Sequence, residues 1–149
     1  MGKGKIVLAS GTFDLLHLGH VRYLEEAKKT GGSNARLVVI VARDATVEKR
    51  RGAKPIMSEN QRRALVGSLK VVDEAILGYE DFDIAKVIEK IHPDIIALGY
   101  DRGDIWQTVR RYVNEKNLNV EIVKIGKFSE DELDSSSKIK HKIIEHIKG

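Results

Sequence analysis

The chain has 149 residues, with 26 Lys and Arg against 22 Asp and Glu, so its formal net charge is +4. That length suits one domain, residues 1–149, able to bury a core without disulfide or metal staples. Cysteine is absent, which excludes a disulfide scaffold, a zinc–thiolate site and a thiol nucleophile, and no apolar run approaches the roughly 18 residues of a membrane-spanning helix.

The opening MGKGKIVLAS carries no signal-peptide pattern and leads straight into a first strand, Lys5–Ser10. This points to a cytoplasmic protein without a membrane partner. A helix over Gly19–Lys29 follows, with Val21, Leu24 and Ala27 toward a sheet. Arg36–Ala42 reads as the second strand and the charged stretch after it, through Lys54, as a loop. Ser58-Glu59-Asn60-Gln61 has the pattern of a capping box, with Ala64, Leu65 and Leu69 behind it. Glu74–Leu77 is the third strand. Ile84, Val87, Ile88 and Ile91 recur at helical spacing, with Asp83 or Asp81 as cap. Asp94–Leu98 is the fourth strand, and Ile105, Val109, Tyr112 and Val113 mark the helix after it. Val120–Ile125 is the fifth strand, and Ile139, Ile143, Ile144 and Ile147 form the stripe of a last helix. Continuous apolar strands alternating with amphipathic helices predict an α/β domain in three layers around a parallel sheet. Ligands of such domains bind outside the carboxyl ends of the strands, so chemically distinctive residues should fall in the loops after strands.

They do. Gly11-Thr12-Phe13-Asp14-Leu15-Leu16-His17-Leu18-Gly19-His20 follows the first strand. Gly11 permits a tight turn, and Thr12 sits where a hydroxyl and backbone amides meet a phosphate. His17 and His20 stand three apart at a helix start, with Gly19 removing a side chain between them. A helix N-terminus already favours anions, so two imidazoles there make a polyphosphate seat. After the second strand come Arg43-Asp44 and Lys49-Arg50-Arg51-Gly52-Ala53-Lys54. Gly99-Tyr100-Asp101 places a carboxylate after the fourth strand, and Tyr100 and Trp106 offer flat faces for a ring. Gly126-Lys127-Phe128-Ser129 follows the fifth strand. Ser135, Ser136 and Ser137 then open the last helix, Ser135 as its cap and the other two as phosphate donors. No G-x-x-x-x-G-K-[ST] loop, G-x-G-x-x-G fingerprint or G-x-S-x-G elbow occurs.

GTFDLLHLGH resembles the GTFD…HxGH signature of the nucleotidyltransferase superfamily, which moves a nucleoside monophosphate from a triphosphate onto a phosphate acceptor. Val41-Ala42-Arg43-Asp44, Lys70-Val71-Val72-Asp73, Ala75-Ile76-Leu77-Gly78, Pro93–Asp101 and Ser135–Ile139 extend the likeness to the archaeal FAD synthase branch. The resemblance implies a Rossmann-like α/β/α fold with a five-stranded parallel sheet in the order 3-2-1-4-5, and adenylyl transfer from ATP to FMN. It implies His17, His20 and Lys49 as catalytic residues. Gly11, Thr12, Phe13, His17, Leu18, Gly19, His20, Asp101, Phe128, Ser136 and Ser137 would bind ATP, and Asp44 and Arg62 the acceptor. A divalent cation, Mg²⁺, would enter with ATP, Asp14 being a carboxylate on the metal side or a turn cap. Homodimers occur in the family. Two other readings share these residues: a glycerol-3-phosphate cytidylyltransferase-like enzyme using CTP, and a non-catalytic nucleotide-binding module. Cytidylyltransferases carry an arginine-led RTxGxST pattern near the last helix, where this chain has Lys127 and a longer acidic stretch.

The charge count bears on nucleic acid. Residues 43–63 hold seven basic and three acidic groups, leaving nineteen of each elsewhere. The whole excess therefore reads as a local anion site facing the triphosphate, without the basic coat that nucleic acid needs.

Overall fold

Five parallel strands form one sheet in the order β3-β2-β1-β4-β5, so the chain reverses its direction of growth between β1 and β4. The computed structural model describes residues 4–80, 83–100, 103–127 and 135–149. In chain order the strands are β1 (Ile6–Gly11), β2 (Arg36–Val41), β3 (Glu74–Leu77), β4 (Ile95–Gly99) and β5 (Glu121–Ile125). The helices are α1 (Leu18–Lys29), α2 (Asp44–Arg51), α3 (Glu59–Gly67), α4 (Ile84–Ile91), α5 (Gly103–Glu115) and α6 (Ser136–Lys148). This is the Rossmann-like α/β arrangement and the strand order expected.

Alternation along the strands builds two cores. Val7, Ala9, Leu37, Val39, Val41, Ile95 and Ala97 pack with Leu24 and Ala27 of α1 and Val66 of α3. Leu8, Val38, Ile40, Ile96 and Leu98 face the other way, against Val87 and Ile88 of α4 and Ile105, Val109 and Val113 of α5. A strand with apolar residues on both faces has no polar side to show water, which is why β1, β2 and β4 read as unbroken apolar runs. Carboxylates satisfy the strand starts: Asp94 Oδ2 accepts from the Ile6 N–H at 2.8 Å, and Asp73 Oδ2 from the Leu37 N–H at 2.7 Å. Ser58 caps α3 by accepting from the Gln61 amide, and Asp83 caps α4 by accepting from the Lys86 amide, each at 3.3 Å.

Two expectations change. The stretch after β2 is helical, as α2, rather than a loop; Val47 is its one buried residue, so it lacks an apolar stripe. The last helix forms where its isoleucines place it, but none of its residues is buried, and Ile143, Ile144 and Ile147 are exposed.

Candidate active site

β1 is paired with β2 through Gly11 but with β4 only through Ala9, opposite Ala97. The crevice between β1 and β4 lies at this switch point, at the carboxyl ends of the strands. The turn leaving β1 is tightly held. Thr12, Phe13 and Asp14 are buried, and Phe13 (φ 57) and Leu15 (φ 50) are in the left-handed region that non-glycine residues seldom adopt. A Cβ on Gly11 would stand 2.9 Å from Phe13 Cζ. Gly11 is therefore required by the ring folded back on it, a reason different from the expected tight turn. Asp14 accepts from the amides of Ile56 and Met57 at 2.8 and 3.0 Å, and its carbonyl accepts from Ser136 Oγ at 2.5 Å. Its carboxylate is a structural clasp joining the turn to the segment before α3.

The two histidines meet as stacked rings, with centroids 3.7 Å apart and planes at 24°. The His17 N–H donates to His20 Nδ1 at 3.2 Å, and the Phe13 ring packs edge-on against His20 at 5.3 Å. Nδ1 is thus an acceptor, which places the neutral ring's proton on Nε2. Burial, and then the neighbouring His17, lower the His20 pKa to about 3, against the opposing pull of Asp14. His20 is accordingly a neutral Nε2–H donor at physiological pH. The N-terminus of α1 adds its backbone amides beside the two rings.

These groups line a cavity of about 430 Å³. Gly11, Thr12, Phe13, His17, Gly19 and His20 line it from the β1–α1 turn and the start of α1, and Ser136 and Ser137 from α6. Leu18 is exposed on the first turn of α1 and is not among the lining residues. Ser135 caps α6 through the Lys138 amide at 3.2 Å. Ser136 gives its hydroxyl to the Asp14 carbonyl, so Ser137 is the serine whose Oγ has no hydrogen-bond partner among the described residues. Asp101 and Phe128 lie outside the described residues. Beside Asp101, Tyr100 lines the cavity, with Lys127 Nζ 5.7 Å from its ring centroid. Trp106 instead packs against the core beneath α5, with Lys124 Nζ 4.5 Å from its ring.

The basic segment is largely diverted from the cavity. Arg62 is fully buried. Its guanidinium donates to the carbonyls of Met57, Thr12 and Ala42 at 3.0, 2.8 and 2.7 Å, and to Asp44 Oδ1 at 2.6 Å. This diverts Arg62 from the acceptor role expected of it, since a fully buried guanidinium bonded to four protein acceptors offers little to a ligand. Asp44 meets it through one carboxylate oxygen, and the pair braces the phosphate turn against β2. Arg43 bonds the Gly78 carbonyl and Glu59. Lys49 is exposed on α2 and is not among the lining residues; from that helix Arg51 lines the cavity, and Arg50 donates to Thr12 Oγ1 at 3.2 Å. The lining cations among the described residues are Arg51, Lys127 and Lys140, against the single carboxylate of Asp14. Lys140, 3.9 Å from Asp14, was not singled out by sequence; its signal is a basic residue one helical turn after Ser137.

The Cytidylyltransferase-like family profile matches residues 8–142. The FAD synthase of Methanobrevibacter smithii is 48% identical over 139 residues, covering 93% of this chain and 90% of that protein. The FAD synthase of Ferroglobus placidus is 51% identical over 140 residues, covering 94% and 88%. Among solved structures, a Thermoplasma volcanium protein described as a lipopolysaccharide core biosynthesis protein matches with a TM-score of 0.76 and 46% identity. That match covers 85% of this chain and 99% of the other.

Proposed function

The chain belongs to the cytidylyltransferase-like family, and on that footing we propose that it transfers the AMP moiety of ATP to FMN, forming FAD and pyrophosphate. It is a nucleotidyltransferase. The observation that carries the reaction type is the stacked His17–His20 pair at the start of α1, facing a cavity walled by Arg51, Lys127 and Lys140. ATP and FMN as substrates rest on FAD synthase relatives 48% and 51% identical over nearly the whole chain.

The FMN phosphate attacks the α-phosphorus of ATP in line, and pyrophosphate leaves. Two anions must be held together while negative charge moves to the leaving group, so positioning and fixed donors do the work. His20 Nε2–H and His17 donate to the triphosphate, with the α1 amides behind them. The lining cations offset the charge gathering on pyrophosphate, and Lys49, exposed on α2, keeps its expected catalytic role as a further cation toward the leaving group. The backbone at Thr12 and Phe13 cradles a phosphate, and Ser137 donates from α6. Asp101 and Phe128 belong to the nucleotide side of this reading.

A divalent cation, Mg²⁺ in this reading, enters as part of the metal–ATP substrate. Among the described residues no group of three or more His, Asp or Glu is placed to hold a metal ion, and both Asp14 oxygens already accept from amides. In this reading the phosphates supply most of its ligands. No described helix is long and apolar enough to cross a membrane. The reading further takes residues 1–149 as one domain, the cytoplasm as its location and small molecules rather than nucleic acid as its ligands, and it allows a homodimer. The test is incubation with each nucleoside triphosphate and either FMN or glycerol 3-phosphate, with chromatography of the products. FAD from ATP and FMN supports the proposal. Product from CTP and glycerol phosphate, or binding without turnover, would replace it.

A further inference from the structure

The crevice between β1 and β4 contains a side chain that the proposed reaction leaves without a role. The two strands share register only from Val7 to Ala9, opposite Ile95 to Ala97, whereas β1 stays paired with β2 to Gly11 and β4 with β5 to Gly99. β1 and β4 part just beyond Ala9 and Ala97, and Tyr23 occupies the parting. Its hydroxyl donates to the Ala97 carbonyl at 2.6 Å and accepts from the Ser10 N–H at 3.4 Å. Tyr23 follows His20 by three residues, so both lie on one face of α1, and both line the cavity. Ser10 feeds the Gly11–Thr12 turn, and Ala97 lies two residues before Gly99, where β4 reaches the cavity wall. One hydroxyl thus joins the helix that carries His20 to the two strands that carry the phosphate turn and the opposite wall.

We propose that Tyr23 is a positioning residue for the nucleotide: its hydroxyl fixes the His20 helix to the mouth of the crevice and holds β1 and β4 apart at the width the triphosphate occupies. The groups it bridges are backbone polar groups at the point where their ladder stops. Without the hydroxyl each loses a partner at a half-buried site, or the strands draw together to satisfy one another. Either outcome moves His20 and the Gly11–Thr12 turn relative to each other. Phenylalanine fills the volume of the ring but makes neither bond, so Tyr23→Phe separates the bonds from the packing.

The inference rests on nucleotidyl transfer for the identity of its ligand, and the experiment keeps the two separable. Calorimetry gives the Kd of ATP with divalent cation and without FMN for the wild type, Tyr23→Phe and Lys28→Ala. Steady-state kinetics and thermal midpoints accompany it. Lys28 pairs with Asp73 at 3.0 Å near the other end of α1 and reports loosening of the helix away from the cavity. Tyr23→Phe, which loses both half-buried bonds, is expected to weaken ATP binding about tenfold. It should leave the KM for FMN within about twofold, since the acceptor's binding does not depend on that bond. Lys28→Ala should keep wild-type ATP affinity whatever its midpoint. Unchanged ATP affinity in Tyr23→Phe, or losses in both variants that track their midpoints, would overturn the assignment. Absence of FAD with the wild type contradicts the proposed reaction instead, and the contrast between variants is then read with whichever triphosphate the wild type binds.

Discussion

The backbone N–H of His17 and Nδ1 of His20 lie 3.2 Å apart, and this one bond sets the chemistry of the cavity. By occupying Nδ1 it places the proton of His20 on Nε2, the nitrogen left to meet an anion. Burial keeps that ring uncharged, with a pKa lowered to about 3. In the proposed reaction the triphosphate would meet an aimed dipole at His20, with full positive charge on the cavity wall, among the described residues, from Arg51, Lys127 and Lys140.

In the proposed reaction His20→Ala would remove a donor fixed where charge develops. Turnover at saturating ATP should fall by about 2.7–4 kcal/mol of barrier, roughly 10²–10³-fold, the range for a lost oxyanion donor. Single-turnover quench measures it. An unchanged rate would remove His20 from the catalytic step.

The depressed pKa of His20 has a sign that can be checked. Between pH 6.5, its ordinary value, and about 3, the unfolded chain takes up a proton that the folded ring refuses. Unfolding free energy should therefore decline as the pH drops through that window. Urea titrations of His20→Gln should show a shallower acid decline than the wild type. In the same way, kcat/KM for ATP should show no limb near pH 6.5 that His20→Gln abolishes, since that ratio reports groups titrating in the free enzyme.

Arg62→Met leaves the carbonyls of Thr12, Ala42 and Met57 without their buried donor and Asp44 without its partner. Breaking such a pair should cost about 3–5 kcal/mol of stability. At temperatures where the variant stays folded, the KM for FMN should remain near that of the wild type. A specific rise in that KM without loss of stability would restore Arg62 to the acceptor.

Lys140→Ala and Lys49→Ala separate the two lysines. Lys140 lines the cavity beside Asp14, whereas Lys49 is exposed on α2. Lys140→Ala should raise the KM for ATP by about tenfold, as loss of a charged hydrogen bond does, with a smaller change for Lys49→Ala. The reverse ranking would return the main phosphate role to Lys49.

Much of this site is legible in the sequence because it is local. Gly11 through His20 form one turn and the start of one helix, so their meeting needs only a strand before and a helix after. The five strands are legible because residues such as Val39 and Ile96 are buried between helical layers and carry no polar alternation. What escapes is non-local. The Arg62 guanidinium reaches Thr12, fifty residues away in sequence, and reads as an ordinary basic residue until the fold closes. α2 is missed because Val47 alone anchors it, and Lys140 because α6 arrives at Asp14 only through tertiary structure. Tyr23 was in plain view three residues after His20, but its purpose depends on where β1 and β4 separate.

In the proposed reaction an FMN phosphate oxygen bonds to the α-phosphorus of ATP as the bond from that phosphorus to the α–β bridging oxygen breaks, so AMP passes to FMN and pyrophosphate leaves. Parallel reactions with α-³²P- and γ-³²P-labelled ATP, FMN and divalent cation test it most directly. The account predicts α-label in FAD, γ-label in pyrophosphate and one pyrophosphate for each FAD. Label from the γ position on the flavin, with release of ADP, would contradict it.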